Sequence, residues 1–250
     1  MLRFPLAILL SSLLSALAAQ ERVALPNATG TVMPSSGWTV LRAPELAAAQ
    51  RASDPTAEPG RTTLLAAIEQ VQKNERTGDH VLFHAPGAVP GSLRLVNAYS
   101  APGRATSKDL VSPASAEAIR KVLEPTLTAP DVTVTWLGHA DAQLFPIGSL
   151  VLRFQLACAD RRWELHHHVV PAGTRLQYLE TMHFVDDADG PAAIDALLRT
   201  FDGAREATGN PILVNMMIGG IAGAVAGIAA GLLRRRWRLR RTAASGPAVG

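Results

Sequence analysis

The sequence carries one cysteine in 250 residues, Cys158, so no intramolecular disulfide is possible and a small stapled scaffold is excluded. It has no GxSxG, no P-loop, no dinucleotide fingerprint and no HExxH, so no familiar motif names a reaction or a bound cofactor, and no cofactor is expected. Basic charge is scarce where a nucleic-acid surface would need it. The formal net charge of +3 hides a split: no Asp or Glu follows residue 210, and residues 21–210 hold 17 basic against 21 acidic side chains. A mildly acidic domain does not concentrate positive charge on a binding face, so nucleic acid is excluded as a partner.

What is present is organised around 211–233, PILVNMMIGGIAGAVAGIAAGLL, a run without a charged residue followed directly by RRRWRLRR. As a helix it would reach roughly 34 Å, against a hydrocarbon core of about 30 Å. It is expected to be a transmembrane helix. Asn215, Gly219, Gly223, Gly227 and Gly231 recur every fourth residue and form a groove of small residues, which predicts packing against a second copy or against the span of a partner membrane protein. Arg234, Arg235, Arg236, Arg238, Arg240 and Arg241, with Trp237 at the interface, predict a cytoplasmic carboxyl terminus and attraction to anionic lipid.

At the other end, residues 1–18 combine one Arg, an apolar run and Ala16-Leu17-Ala18, the pattern of a secretory signal. The expected organisation is therefore signal 1–18, flexible arm and first strand 19–60, exported domain 61–208, span 211–233 and basic tail 234–250. Such a protein sits in the bacterial inner membrane in a single pass, with its amino-terminal domain outside.

Within the domain, residues 20–36 lack periodicity and read as a loose arm, and 38–41 as a first strand. Leu64, Leu65, Ile68 and Val71 fall at helical spacing, 81–84 and 93–99 alternate like strands, and Ser112-Pro113 opens a second helix that should stop at Pro125. Four period-two segments follow, near 132–136, 150–156, 163–170 and 176–184, and Ile194, Leu197, Leu198 and Phe201 mark a closing helix. The fold class expected is α+β, an antiparallel β-meander packed with helices plus the transmembrane helix. SLVLRFQLA at 149–157, RRWELHHHVVPAGTRLQYLE at 161–180 and AAIDALLRTFDGA at 192–204 resemble the Mog1/PsbP-like α+β sandwich over residues 81–204. That resemblance implies a binding or accessory module and carries no catalytic residue set with it.

Histidine offers the one chemical lead. On a strand, alternation puts His166 and His168 on one face with Glu164, and His167 on the other with Trp163, Leu165 and Val169. A His-x-His pair with a carboxylate can chelate a transition metal. The competing reading is a polar outer face, since His80, His84, His139 and His183 are scattered and no second ligand cluster stands elsewhere. Cys158 at a strand end reads as structural, and Asp186, Asp187 and Asp189 as solvated turn residues. Two functions remain: a membrane-tethered envelope interaction module, or an envelope metal-binding protein or metal-dependent enzyme using His166, His168 and Glu164.

Overall fold

Two long strands far apart in sequence hold the domain together: β5 (Leu93–Pro102) lies against β9 (Arg175–Phe184), with Leu95 opposite Met182 and Pro102 opposite Arg175. In the computed structural model the described residues are 21–42, 80–90, 92–127, 132–158 and 161–207. On one side of that central pair run β4 (Val81–Pro86) and β3 (Thr39–Arg42); on the other run β8 (Arg161–Ala172), β7 (Leu150–Cys158) and β6 (Thr133–Asp141). The order is β3-β4-β5-β9-β8-β7-β6, antiparallel throughout.

This overturns the expected fold class. The described residues are mostly β, a seven-stranded antiparallel sheet with few helices among them, because the strands at 39–42, 81–86 and 93–102 join the four-stranded meander instead of standing apart from it. Among the described residues no helix is long and apolar enough to cross a membrane. The expected span, with Asn215, Gly219, Gly223, Gly227 and Gly231, and the tail, with its six Arg and Trp237, lie outside the described residues, as do the signal and the helix expected near 62–77.

Alternation along each strand makes both sheet faces apolar, so both must be covered. One face carries Tyr99, Leu152, Phe154, Leu165, Val169 and Tyr178 and is covered by α1 (Ser107–Leu110) and α2 (Pro113–Leu127) through Leu110, Ile119, Leu123 and Leu127. Thr106 and Asp109 close a reciprocal capping box on α1, and Ser112 Oγ accepts the Ser115 amide at the start of α2. α2 runs past Pro125 to Leu127: Leu123 and Leu127, four apart, are both fully buried, and that contact carries the helix through its last turn.

The opposite face carries Phe83, Val96, Val151, Val170 and Leu179 and is covered by α3 (Gly190–Leu198) and by the amino-terminal residues. Here the expected loose arm is corrected. Residues 23–24 and 31–32 pair as β1 and β2 around a 3-10 turn, and Val23, Leu25 and Val32 enter the core. Strands of two residues leave no periodicity to read. Burial in the core and hydrogen bonds to Asp202 order them.

Between β5, β8 and β9, on the face covered by α1 and α2, lies a buried polar network. Glu180, 4% exposed, accepts from Asn97 Nδ2 at 3.1 Å, Tyr99 Oη at 2.9 Å and His167 Nδ1 at 3.1 Å. Burial, with the Glu180 charge beside it, pushes the Tyr99 phenol well above its ordinary pKa, so it stays a donor.

Asp187 also departs from expectation: it is buried, not solvated. Arg94 Nε and Nη2 donate to its two oxygens at 2.7 and 2.8 Å, and the Ala88 amide donates at 3.2 Å, pinning the β4–β5 turn to the approach to α3. The Arg94 hydrogen bonds hold the Asp187 carboxyl below the usual range, so its stabilisation is complete above the ordinary value near pH 4 and is lost as pH falls through the lowered folded value. Asp187→Asn is expected to cost about 2 kcal/mol at pH 7. Its unfolding free energy should also fall less steeply than the wild type's between about pH 4 and pH 2. Urea titrations across that window measure both, and parallel pH profiles would remove the pair from the account.

Candidate functional site

The face under α3 holds the His row. Starting from β8, the side chains of Glu164, His166, His168 and Val170 point to this face, while Leu165, His167 and Val169 point to the other, as alternation requires. β9 adds His183 opposite Glu164 and Thr181 opposite His166; β7 adds Arg153 opposite His166 and Val151 opposite His168. Pro191, Ile194 and Asp195 of α3 form one wall, and Ala142 and Leu144 of the β6–β7 loop another. With Val151, Arg153, His166, His168, Thr181 and His183 as floor, these walls bound a half-open cleft of about 180 Å³. That is below the ≈ 300 Å³ at which drug-sized ligand pockets begin and equals the space of about six waters. An ion or a very small molecule fits it.

Of the three residues singled out in the sequence, the structure brings two together. Glu164 Oε2 lies 3.3 Å from His166 Nε2. The third, His168, sits deeper: its ring centroid is 6.2 Å from that of His166, its edge packs on Phe145 and its Nδ1 has no hydrogen-bond partner. Burial drives its pKa down to about 3, so it is neutral at any ordinary pH. His183 takes the place nearer Glu164, with Nε2 3.9 Å from Glu164 Oε2. His166 and His183 stack edge to face with centroids 6.2 Å apart.

Local bonding fixes the tautomer of His183. Its Nδ1 is 2.9 Å from the Phe184 carbonyl, which can only accept, so Nδ1 bears the proton and Nε2 of the neutral ring presents a lone pair. That Nε2 is buried and has no hydrogen-bond partner, whereas the buried His166 Nε2 has Glu164 Oε2 alone beside it. Burial lowers the His166 pKa and, on the opposite wall, raises that of Asp195, so the cleft disfavours charge on both. The result is a set of acceptors, two imidazoles and two carboxylates, with few donors among them. As the side chains stand, no group of three or more His, Cys, Asp or Glu among the described residues could hold a metal ion.

The remaining histidines are placed apart from this cleft. His80 stacks on Tyr99 and its Nδ1 meets Asn97 Oδ1 at 3.2 Å, while His139 lies on edge strand β6 against Trp136. Cys158 is buried at the end of β7.

No family model matches the chain, and no curated protein does. Among solved structures, a crystal structure from Bacteroides thetaiotaomicron VPI-5482 aligns at 10% identity with a TM-score of 0.35. The alignment covers 74% of this chain and 49% of that one, so the chain spans about half of that protein's length. A likeness that distant carries no argument about fold or activity, and none of these findings bears on the resemblance to the Mog1/PsbP-like group.

Proposed function

We propose that this protein is a membrane-held binding module of the bacterial cell envelope, with the cleft beneath α3 as its working site. The observation that carries the reading is the gathering of His166, His168, His183 and Asp195 around a small half-open cleft in which His168 Nδ1 and His183 Nε2 are buried without hydrogen-bond partners. A buried polar group without a partner costs about 1–3 kcal/mol, and a bound donor or cation recovers that cost. The uncharged run 211–233 and the arginines after it support the membrane side of the reading, with a second copy or another membrane protein as the partner there.

The cleft is set back from the end of the domain where the chain leaves it. The Arg205 amide donates to the Pro171 carbonyl beside the β8–β9 turn, whereas His166 and Glu164 lie six to eight residues up β8 from Ala172, roughly 20–27 Å at strand spacing. This favours a ligand taken from the aqueous side over one drawn from the bilayer.

Leu144→Trp, at the half-buried rim, is expected to fill the cleft. Full-length protein purified natively from membranes should release a small bound molecule on denaturation, read by mass spectrometry, and the variant should release at least about tenfold less, a loss equivalent to 1.4 kcal/mol. Wild-type protein that releases nothing above a blank preparation sinks the binding-module reading.

A further inference from the structure

We infer that the cleft takes a small uncharged molecule that donates an O–H or N–H hydrogen bond to His183 Nε2 and lays its hydrocarbon part against Val151, Ile194 and Leu144. This rests on the reading of the cleft as a binding site and names the chemical class of its occupant.

His183 can accept and has nothing to accept from. Nδ1, next to the ring's attachment, is committed to the Phe184 carbonyl, which leaves the lone pair on Nε2 at the far edge of a side chain only 4% exposed. The carboxylate beside it, Glu164 Oε2 at 3.9 Å, is a second acceptor and cannot answer it. Nor is the ring free to turn: a Cβ added to Gly190 would stand 3.1 Å from its Cγ, so the start of α3 packs directly on it. His168 adds a second unanswered nitrogen, Nδ1, on a ring that burial keeps neutral with a pKa of about 3. A neutral imidazole nitrogen is either an N–H or a lone pair, and a hydroxyl or a primary amide, which both donates and accepts, meets either form.

Charge is what the buried lining rejects. Burial pushes the His166 and His168 pKa values down and that of Asp195 up, in each case the direction that removes charge. An ion seated there gives up its hydration for imidazoles that stay neutral, and an anion also sets its oxygens against the His183 lone pair. The two charged side chains of the lining stand toward solvent, Arg153 exposed and Asp195 half-buried. A plain hydrocarbon suits Val151, Ile194 and Leu144 but leaves His183 as it is. An uncharged donor with a short apolar body satisfies both, and the 180 Å³ of the cleft limits it to the bulk of about six waters.

Probes of nearly equal size isolate these features: 1-propanol and propionamide carry an uncharged donor, butanone an acceptor alone, propionate a negative charge and propylammonium a positive one. Ligands this small bind weakly, so saturation-transfer NMR at millimolar concentration reads them, on full-length protein in lipid nanodiscs at about pH 8, with empty nanodiscs as the blank. Propanol and propionamide are expected to bind. Butanone, which lacks the donor, and the two ions, which must be desolvated, should each bind at least about tenfold more weakly. His183→Phe keeps a ring and removes the lone pair, so it should bring propanol down to the level of butanone, and Leu144→Trp should abolish both. If melting curves show that His183→Phe does not fold, the ranking in wild-type protein decides alone. Either ion or butanone binding as tightly as propanol, no binding of any probe, or an unchanged preference for propanol in folded His183→Phe overturns the inference. A natively bound molecule reduced by Leu144→Trp, with the probes failing, removes this ligand class and leaves the binding module; the expected ranking in protein that releases nothing does the reverse.

Discussion

Replacing Glu180 by leucine is expected to destabilise the domain by about 4 kcal/mol, lowering its melting temperature by roughly 8–16 °C. The carboxylate is the common acceptor for Tyr99, Asn97 and His167, and all four are buried. Leucine matches its bulk and strands three donors at once, each costing about 1–3 kcal/mol in desolvation that nothing returns. Glu180→Gln should fall between, because the amide oxygen keeps one or two of these contacts while its NH₂ faces the rest. Double substitution Glu180→Leu with Tyr99→Phe should recover part of the loss by removing one orphaned hydroxyl. Calorimetric melting of the three variants decides the matter, and a Glu180→Leu protein as stable as wild type would show the network to be incidental.

Gly203→Ala is expected to be nearly as damaging, about 3 kcal/mol, for a different reason. The backbones of residues 29–30 and 203 touch: a Cβ on Gly203 would stand 1.9 Å from the Thr29 carbonyl oxygen and 2.6 Å from the Phe201 ring, and one on Gly30 would meet Gly203 Cα at 2.5 Å. The Thr29 carbonyl and Gly203 Cα are backbone, and the Phe201 ring is buried. Relief requires the β1–β2 hairpin to lift off the end of α3, withdrawing Val23, Leu25 and Val32 from the core with it. Gly173→Ala provides the contrast. That residue has φ +74° but an open surround, its added Cβ reaching no closer than 3.8 Å to Arg205, so its cost should stay near the ~1–2 kcal/mol of a left-handed alanine. Equal losses at positions 173 and 203 would mean that conformational preference, not contact, governs both.

How much of this was readable without coordinates depends on the range of each interaction. The alternation in 150–156, 163–170 and 176–184 is local and placed β7, β8 and β9 correctly; it also put Glu164, His166 and His168 on one face. The helix expected from Ile194, Leu197, Leu198 and Phe201 forms but ends at Leu198; all four residues are buried, Phe201 beyond its end. The pairing of β5 with β9 was invisible, because it joins segments about eighty residues apart and no local rule selects one partner strand over another. That one pairing turns a meander with separate strands into a single sheet, and so changes the fold class. His183 was nearer to hand. A two-residue turn at Gly173-Thr174 makes Ala172 face Arg175, and counting outward in step brings Glu164 opposite His183 and His167 opposite Glu180. Register, not composition, was the missing signal for both the cleft and the buried network.

The end of the domain can also be read as a mechanical joint. After α3, Asp202 accepts from the Thr31 amide and hydroxyl, Arg205 exchanges backbone hydrogen bonds with Pro171 and Gly173, and Glu206 accepts from the Ser107 amide and hydroxyl. Five residues are thus spliced to the amino-terminal hairpin, the central β8–β9 turn and the first helix. A pull applied at residue 207 would thus be divided among three elements before any one of them bore it.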